Sequence, residues 1–406
     1  MKIAHVTIYP PKGEKHISSS GVASYSKNLV TSIPSGDQTV ICDQINGPET
    51  YDEDGVSVRR VFRKSPGFIF SINKELERLQ PDVIHIQQEL ALFGGILTAY
   101  LLQWLVFWWR DRTVITLHGV VDPAAIDEAF VRENNSRLPV WLVRLAFRII
   151  YTPLMKRAKH IIVHEQFFKD IITRSYRIGG GKVSVIPHGI ETFEAQDQAK
   201  ARGELKLPAQ ADIALFMGYA TGYKGIDLLI EGFSEYAKKN PSTYLVIGAG
   251  KHPKLHDDPT YLAEYERLQQ KAGQLIPAGR YEWRGFIDEH DIAAYYSVSD
   301  VSLYPYTTAM SSSGPMSFAI GYEKPFLVSD AFEGIFGAYP QLLFKRSGSA
   351  LAEKLDYFFT HRDEYADVSY FLKQQRTWQS VGAKTCTVYQ TTHNQKGLYE
   401  ESAPVG

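Results

Sequence analysis

The fold of this 406-residue chain is indicated most strongly by a regular alternation of short apolar runs with longer segments of helical periodicity. In the segment 22–33, for example, Val22, Tyr25, Leu29 and Ile33 fall on one face of a helix. Short apolar strands separated by helices are typical of parallel sheets that are covered on both faces. The strand-like runs of the first half are KIAHVTI, TVICDQI, VSVRRVF, DVIHIQ, TVITLHG, KHIIVHE and KVSVIPHG.

The alternation is interrupted by a polar segment, 191–212, which contains Pro208 and few apolar residues. We interpret this segment as an inter-domain linker. A second series of strand-like runs follows, and a last helical stretch covers about 364–390. The sequence therefore predicts an α/β protein with two successive doubly wound domains, whose ligands bind at the carboxyl ends of the strands. The second series is DIALFMG, STYLVIGAG, YEWRGFI, DVSLYPY and PFLVSD.

Bulk composition excludes several classes of protein. A net charge of −1 gives no overall attraction to nucleic acid, so any anion site is local. Cys42 and Cys386 cannot form a disulfide framework and suit a reducing compartment. The amino terminus, MKIAHVTIYPP, has the pattern of a first strand rather than of a signal peptide. The longest apolar run, 96–109, contains Gln103 and is shorter than the roughly 20 residues of a membrane span, so we expect a soluble, cytoplasmic protein.

Three turns between a strand and a helix could hold an anion. In the first, the serines at 18–20 and Gly21 precede a helix, whose amino-terminal N–H groups favour phosphate. Simple helix capping by these serines is the alternative. In the second, Lys224 and Gly225 open a helix, where a cation opposes the helix dipole unless an outside anion is present. The alternative is a solvated surface lysine.

The third turn lies in TTAMSSSGPMSFAIGYEKP, residues 307–325, where three serines and Gly314 open an apolar helix. Pro315 stands where a first helical residue tolerates the loss of its N–H, and no charged residue occurs before Glu323. A capped, buried helix is the alternative interpretation. Three amide-rich turns at strand ends together favour a ligand that carries two phosphates.

Ordered motifs along almost the whole chain resemble the retaining nucleotide-sugar glycosyltransferases of GT-B architecture, of the group 1 or family 4 type. This large family includes bacterial cell-envelope mannosyltransferases and glucosyltransferases. DVIHIQQELALFGG is similar to a branch with a Gln-His-Glu motif, in which Gln88 here replaces the histidine. The other motifs, in order, are SSGVASYSKNLV, TVITLHG, VIPHGIE, FMGYATGYKGIDLLIEGF, YLVIGAG, YEWRGFIDEHDIAAYYSVSDVSLYPY and SSGPMSFAIGYEKP.

The resemblance implies two Rossmann-like domains that face each other across a cleft. Residues 1–195 would form the acceptor-side domain, and residues 208–365 would bind the nucleotide sugar. Residues 366–406 would be a helical segment that packs back on the amino-terminal domain.

The resemblance also implies roles for single residues. His118 would lie beside the donor sugar and Lys224 would neutralise the departing diphosphate, although His118 alone would otherwise suggest a buried structural histidine. Glu89 and His188 would serve the acceptor or the cleft, or only make structural hydrogen bonds, and His164 and Glu165 are weaker candidates near the hinge. The implied donor-binding residues are Gly21, Gly218, Tyr219, Arg284, Phe286, Ser312, Ser313 and Gly314.

The chain departs from the family pattern in three places. Tyr219 stands where most relatives have an arginine. Most relatives also carry two glutamates eight positions apart, and here the corresponding positions offer Met310 or Ser311 and Phe318. Contacts to ribose and sugar therefore cannot be transferred from the family. The architecture implies no metal cofactor, and the 12 histidines show no two-histidine spacing supported by acids.

A cationic helix predicted over 139–152 suggests a membrane partner. Arg137, Arg144 and Arg148 recur at seven- and four-residue spacing, which puts them on one stripe of an otherwise apolar surface. Lys156, Arg157 and Lys159 follow, and no acid occurs from 137 to 159. Such a segment can lie on an anionic lipid surface, at the inner face of the cell membrane. The alternative is a buried helix with one solvated stripe.

The predicted function is transfer of a hexose from a nucleotide-diphosphate sugar to a glycan or lipid-linked hydroxyl, with retention and without a metal. The setting would be cell-envelope or exopolysaccharide synthesis. The alternative from another class is an inactive GT-B scaffold that binds a partner transferase or a nucleotide. A phosphorylase or a sugar-nucleotide epimerase of the same architecture is a further alternative.

Overall fold

A computed structural model describes residues 1–14, 21–34, 36–133, 137–253, 255–309 and 313–400. The chain divides into two compact units, the first formed by Met1–Gly189 with Trp378–Gly406 and the second by Ile190–Thr377. Each unit is built on its own predominantly parallel sheet flanked by helices. The predicted α/β architecture with two doubly wound domains is thereby confirmed.

The sheet of the first unit has eight strands in the order β3-β4-β2-β1-β5-β6-β7-β8. All neighbouring strands are parallel except β3 and β4. In chain order the elements are β1 Lys2–Val6, α1 Gly21–Ser32, β2 Asp37–Asp43, β3 Glu49–Glu53, β4 Val56–Phe62, α2 Phe68–Leu79, β5 Val83–Gln88, α3 Ile96–Trp108, β6 Thr113–Leu117, α4 Glu128–Glu133, α5 Val140–Arg157, β7 His160–Val163, α6 Gln166–Ser175 and β8 Val183–Val185.

The extent to which each strand is buried explains whether its sequence pattern predicted it. Every residue of β5 and β6 is buried, as expected for central parallel strands that are covered on both faces. Strand β3, ETYDE, was not predicted, because only Tyr51 among its residues is buried and no apolar pattern marks it. It pairs antiparallel with β4 through a turn in which Asp54 and Gly55 have φ of 52° and 78°.

The sheet of the second unit has six strands in the order β11-β10-β9-β12-β13-β14, and all neighbours are parallel. The two-residue strand β14 was not predicted, since a run this short carries no periodicity. In chain order the elements are α7 Gln198–Glu204, β9 Asp212–Tyr219, α8 Ile226–Lys239, β10 Thr243–Gly250, α9 Pro259–Leu275, β11 Tyr281–Trp283, α10 Glu289–Val298, β12 Val301–Tyr304, α11 Gly314–Gly321, β13 Phe326–Ser329, α12 Glu333–Phe336, β14 Leu343–Phe344, α13 Gly348–Thr360 and α14 Asp363–Arg376.

The segment 191–212, interpreted from sequence as a linker, belongs to the second unit. Phe193 stacks on Tyr322, with ring centroids 4.7 Å apart, and the backbone N–H of Gln196 donates to Ser297 Oγ at 2.8 Å. Helix α7 packs against α10 and buries Ala201. The chain therefore leaves the first unit at Gly189, earlier than the predicted boundary at 195, because a few well-placed apolar residues suffice to dock this polar segment.

The predicted helical stretch over 364–390 is two helices, α14 and α15 Trp378–Glu400, separated at Thr377. Thr377 pairs with Ile190 at the edge of the second unit, and α15 returns to the first unit. There α15 packs on α1, and Gly382 lies so close to Ser32 O that an added Cβ would be 2.3 Å from it. The predicted packing of the chain's end on the amino-terminal domain thus concerns residues from Trp378 onward, since α14 belongs to the second unit.

Candidate functional site

In the second unit, the strand order changes direction between β9 and β12, and this is where open α/β sheets bind ligands. Gly218 and Tyr219 end β9, and Tyr306 follows β12. A 3-10 turn, Gly222–Lys224, leads from β9 into α8. This turn brings Lys224 to the carboxyl ends of the two central strands.

Lys224 is buried, with 6% of its surface exposed, so the interpretation as a solvated surface lysine is wrong. Its Nζ donates to the hydroxyl of Tyr306 at 2.5 Å and lies 4.0 Å from the centroid of the same ring. The ring of Tyr223 is 5.1 Å away. Burial lowers the pKa of Lys224 to about 8. No carboxylate of the described ranges forms an ion pair with this ammonium, so a buried cation lies among aromatic rings without an anionic partner.

Two glycines with positive φ adjoin this lysine, Gly218 in space and Gly225 in sequence. Gly218 has φ of 146°, and a Cβ added there would lie 3.6 Å from Lys224 Nζ and 3.8 Å from Pro315 Cγ. Gly225 has φ of 68°, and its added Cβ would be 1.9 Å from Pro305 O. A side chain at Gly225 is therefore excluded on two grounds, its left-handed backbone and its contact with the end of β12.

Helix α11 begins beside the same lysine. Ser313 precedes it, and the Ser313 hydroxyl lies 3.1 Å from the hydroxyl of Tyr306. The carbonyl of Pro315 accepts hydrogen bonds from Tyr296 at 2.6 Å and from Tyr304 at 2.7 Å, which fixes the first turn. Gly314 is exposed, so the amino-terminal end of the helix is open to a ligand. Ser312 lies outside the described residues.

Two further predicted donor residues, Tyr219 and Phe286, form a stacked pair of rings next to β9, which we call the aromatic step. The rings of Tyr219 and Phe286 stack with centroids 5.9 Å apart and an interplanar angle of 16°, and Phe286 is 61% exposed. The guanidinium of Arg284 pairs with Glu282 at 2.7 Å and donates to Leu205 O at 2.6 Å. Arg284 thus fixes the segment that presents Phe286.

In the first unit, histidines cluster within and just after neighbouring parallel strands, although they look scattered along the sequence. The register of β1 and β5 pairs His5 with His85, and their ring centroids are 5.9 Å apart. Tyr25 from α1 packs in the middle, with its ring 4.8 Å from His118 and 5.3 Å from Trp378. The ring contacts form two groups, which Gln87 connects through His85 and His118 and which we together call the histidine cluster. The members are His5, His85 and Tyr389 in one group, and Tyr25, His118, His164, His188 and Trp378 in the other.

A hydrogen-bonded chain crosses this cluster. His118 Nε2 lies 2.8 Å from Gln87 Oε1, His118 Nδ1 lies 3.3 Å from His164 Nε2, and His164 Nδ1 lies 3.1 Å from Ile186 O. The chain ends at two oxygens that can only accept, Gln87 Oε1 and Ile186 O, so its three hydrogen bonds need three N–H protons. Two neutral imidazoles carry only two. Burial, followed by the neighbouring imidazoles, holds the pKa of His118 well below its usual value and so favours neutral rings.

Neutral rings are satisfied when Gln87 turns its amide NH₂ toward His118 Nε2, so that its amide oxygen faces a protonated His85 Nε2 at the 3.4 Å contact between these two side chains. This exchange of amide oxygen and nitrogen leaves the shape of the side chain unchanged. His118 then carries its proton on Nδ1 and donates it to His164, which donates from its own Nδ1 to Ile186 O. Both nitrogens of His118 therefore have partners inside the first unit, and its assignment to the donor sugar stays a prediction.

Other predicted residues of the first unit occupy separate places. Gly21 is exposed as the first residue of α1, and the serines at 18–20 lie outside the described residues. Glu89 is exposed just after β5, whereas Glu165 is buried after β7. His188 contacts both Tyr25 and Trp378, at ring centroid distances of 5.0 and 5.9 Å.

The three arginines of the predicted cationic stripe have different environments in the structure. Arg144 donates to Ile126 O at 2.7 and 2.9 Å, so it fastens the loop before α4. Arg137 and Arg148 are exposed. Within the described ranges, none of the helices combines the length and the apolar character that crossing a bilayer requires.

Among the described residues, one group has the geometry to ligate a metal ion, namely Asp288, His290 and Asp291. Asp288 and His290 are exposed, and the group lies at the start of α10, away from Lys224 in the sequence and on a different loop. Exposed acids of this kind are common, and nothing links this group to the strand ends described above.

Sequence inspection missed the residues that build both clusters. Tyr306 was inside a predicted strand, and Tyr25 and Gln87 had no assigned role. One signal was present, because His5, His118 and His164 fall at or directly after the carboxyl ends of β1, β6 and β7, and parallel strands align such positions at one edge. The partner of Lys224 had no comparable signal, because 82 residues separate it from Tyr306.

Comparisons with known proteins cover most of the chain. Residues 19–193 match the family described as Glycosyltransferase Family 4, and residues 197–374 match Glycosyl transferases group 1. The D-inositol 3-phosphate glycosyltransferase of Acidothermus cellulolyticus is 28% identical over 207 residues, which are 48% of this chain and 42% of that protein. The chain thus matches less than half the length of the curated relatives.

Solved structures match over nearly the full length. Sucrose-phosphate synthase of Thermosynechococcus elongatus superimposes with a TM-score of 0.68 at 17% identity, covering 96% of this chain and 98% of that one. HepE of Anabaena, in complex with UDP, superimposes with a TM-score of 0.66 at 14% identity, covering 96% of this chain and 100% of that one. At these identities the structural likeness establishes the fold.

Proposed function

Because this chain belongs to the group 1 glycosyltransferases of GT-B architecture, we propose that it transfers a hexose from a nucleotide-diphosphate sugar to a hydroxyl group. The acceptor in this proposal is a glycan or a lipid-linked sugar, and the anomeric configuration is retained. Support for the donor class comes from HepE of Anabaena, which has been crystallised with UDP and with UDP-glucose.

The observation that carries the proposal is the buried ammonium of Lys224. It lies at the strand-order switch of the second unit, beside the bare backbone of Gly218 and the open start of α11. Its hydrogen-bond partner is a neutral phenol rather than a carboxylate. A buried cation without a counter-ion is unfavourable by several kcal/mol, and a diphosphate bound here would remove that penalty.

The proposed reaction uses charge stabilisation and positioning. The bond between the sugar C1 and the diphosphate oxygen breaks, and the acceptor oxygen bonds to C1 on the same face. Lys224 and the N–H groups at the start of α11 stabilise the charge that grows on the departing diphosphate. The acceptor hydroxyl gives its proton to an oxygen of that diphosphate, so no protein nucleophile is required. With this electrostatic arrangement we expect no requirement for a divalent metal.

The aromatic step supplies a surface for the nucleotide base. Phe286 exposes one face of the stacked pair that it forms with Tyr219, and rings of this kind stack on bases. Tyr219 carries no positive charge in the place of the family's usual arginine. Lys224 is therefore expected to supply a larger share of the diphosphate binding energy here than in relatives that have both cations.

Turnover by purified protein tests the proposal. We expect donor hydrolysis or transfer with one of UDP-, GDP- or ADP-hexose, in the presence of a chelator. The substitution Lys224→Met should lower the rate by about 100-fold or more, because it removes a transition-state charge partner. Lys238→Met, which removes an exposed lysine of α8, is the matched control and should leave the rate unchanged. Equal rates for both variants would contradict the proposal.

A non-catalytic scaffold is the second candidate, and one observation favours it. Phe318 occupies the place of a family glutamate and packs between the rings of Phe193 and Tyr296, 5.3 and 5.9 Å away. No acid can act from that position. A scaffold would bind a nucleoside diphosphate with the same dependence on Lys224 but would turn over none of the three donors. Phosphorolysis of a glycan without added nucleotide would instead indicate a phosphorylase.

For the acceptor we propose a lipid-linked glycan of cell-envelope or exopolysaccharide synthesis, reached by a protein that lies peripherally on the inner face of the membrane. The support is a surface of the first unit where exposed aromatic rings adjoin a cationic cavity. Transfer to a lipid-linked acceptor in vesicles, compared with the same glycan in solution, tests this part. Equal rates for the two acceptors would count against it.

A further inference from the structure

Two neighbouring helices of the first unit, α3 and α5, expose large apolar side chains. They pack against each other, and their outward sides form one surface, which we call the outer face. Three of the chain's six tryptophans lie on it, and Trp141 is 65% exposed. The exposed apolar residues of the outer face are Ile96, Leu97, Trp104, Phe107, Trp108, Trp141, Leu145 and Ile149.

These exposed residues are not the ones that pack each helix against the rest of the unit. In α3, Ala99, Leu102 and Val106 are buried against the sheet, yet Leu97, Trp104 and Trp108 on other sides are exposed. A surface helix of a globular protein normally carries polar residues there. Helix α3 contains no charged residue at all, ILTAYLLQWLVFW. Contiguous exposure of this kind marks a surface that binds something apolar.

Cations border the carboxyl-terminal ends of both helices. They line a cavity of about 430 Å³ in which Asp111 is the acidic member. The guanidinium of Arg157 joins the cavity to the outer face, because it lies 5.4 Å from the ring of Trp104 and 5.2 Å from the ring of Phe107. The cationic residues that line the cavity are Arg110, Lys156, Arg157, Lys159 and Lys182, whereas burial and the nearby lysines lower the pKa of His160 to about 4 and keep it neutral.

This cavity is separate from the histidine cluster of the same unit. Its residues His160 and Lys182 stand at the amino-terminal ends of β7 and β8. His118 and His164 follow the carboxyl-terminal ends of β6 and β7, at the opposite edge of the sheet. The cavity therefore does not belong to the strand-end region where ligands of this fold bind.

We propose that the outer face and its cationic cavity dock the protein on an anionic phospholipid bilayer. Tryptophan and phenylalanine rings would enter the interfacial layer, and the cations would meet lipid phosphates. Charge complementarity favours this occupant, because no acid occurs from 137 to 159 and a second copy of the chain would present the same cations. Exposed Arg148 extends the cationic border, whereas Arg144 is bound to Ile126 O.

Co-sedimentation with vesicles tests the proposal. Wild-type protein should sediment with vesicles that contain phosphatidylglycerol and remain in solution with phosphatidylcholine alone. The double variant Trp108→Gln, Trp141→Gln should bind at least about tenfold more weakly. Arg110→Gln with Lys156→Gln should lose about fivefold for each charge removed. All four residues are exposed, so near-wild-type circular dichroism and thermal unfolding should accompany these losses.

Matched controls lie in the second unit. Phe371→Gln removes an exposed aromatic ring of α14, and Lys238→Gln with Lys239→Gln removes two exposed cations of α8. Neither change should alter vesicle binding. Inorganic phosphate at the concentration of the lipid phosphate should not displace the protein, which separates a bilayer from a free anion as the ligand.

Three results would overturn the proposal. The wild type could stay in solution with anionic vesicles, the tryptophan variant could bind as well as the wild type, or inorganic phosphate could release the protein. A wild-type dimer that becomes monomeric in the tryptophan variant would assign the outer face to self-association instead. Vesicle binding requires neither donor nor acceptor, so its failure and the failure of the proposed transfer reaction are distinguishable.

Discussion

Lys224 is enclosed by the rings of Tyr223 and Tyr306 and by the backbone of Gly218, and its ammonium donates to a phenol. The phenol in turn lies within hydrogen-bond distance of Ser313 at the start of α11. Tyr306 thereby connects the buried cation at the carboxyl ends of β9 and β12 with the helix whose amino terminus favours anions. The partners of the Lys224 ammonium are therefore neutral side chains.

The pH dependence of nucleotide binding follows from this environment. Burial lowers the pKa of Lys224 to about 8, so in the free protein the ammonium loses its proton as the pH rises through that value. Affinity for a nucleoside diphosphate should therefore fall by up to about tenfold per pH unit above about pH 8. Lys224→Met should bind weakly and show no such fall. Calorimetric titrations at several pH values measure this, and a flat wild-type profile would argue against Lys224 as the diphosphate ligand.

The same pKa shift has an opposite effect on stability. Between about 8 and 10.5, the lowered pKa of Lys224 means that the unfolded chain binds more protons than the folded one. The contribution of this lysine to the free energy of unfolding therefore becomes more favourable as the pH rises through that window. Nucleotide affinity and this stability term should thus change in opposite directions.

Among the secondary-structure elements, a 3-10 turn and Gly225 determine where Lys224 lies relative to β12. The turn Gly222–Lys224 ends at Gly225, which precedes α8 in a left-handed conformation against Pro305 O. This contact joins the start of α8 to the end of β12. The position of Lys224 relative to Tyr306 depends on it.

The substitution Gly225→Ala should therefore disrupt the turn. A Cβ would meet Pro305 O and would also require a strained backbone, so we expect a loss of about 2–4 kcal/mol in the free energy of unfolding. Gly222→Ala is the control, since an added Cβ there has nothing within 4 Å. Urea unfolding measures both. Similar midpoints for the two variants would show that the contact with Pro305 has little energetic weight.

Sequence patterns predicted the long apolar strands because burial on both faces leaves a continuous apolar run, as in β5 and β6. They did not predict β3, which is mostly polar, or the docking of 191–212, which relies on Phe193 and α7. The positions of Lys224 and His118 were predicted from motifs. Their partners Tyr306, Gln87 and Tyr25 were not, because each comes from a distant segment that only the folded sheet brings near.

In the whole molecule, the first unit contains residues from both ends of the chain, Met1–Gly189 and Trp378–Gly406. Helix α15 follows the second unit in the chain, and Tyr389 places its hydroxyl 2.6 Å from His85 Nδ1, where both side chains are buried. The first unit therefore depends on residues from both ends of the chain. That unit therefore contains a contact between positions 304 residues apart, and contacts of such long sequence separation slow folding.

Tyr389→Phe should weaken the first unit selectively. The change leaves a buried imidazole nitrogen without this partner, which costs about 1–2 kcal/mol. Hydrogen exchange should quicken in the protected strands of Met1–Gly189 and stay unchanged in Ile190–Thr377. Tyr370→Phe, at an exposed position, is the control. Equal acceleration in both units would contradict the assignment of α15 to the first.

Calorimetric titration of the purified chain with UDP, GDP and ADP, in the presence of a chelator, measures whether Lys224 binds a diphosphate. We expect one of these nucleotides to bind without a divalent ion. Lys224→Met should weaken this binding by at least about tenfold, and Lys238→Met should leave it unchanged. Absence of heat with all three nucleotides, or equal affinity in the wild type and Lys224→Met, would contradict this role of Lys224.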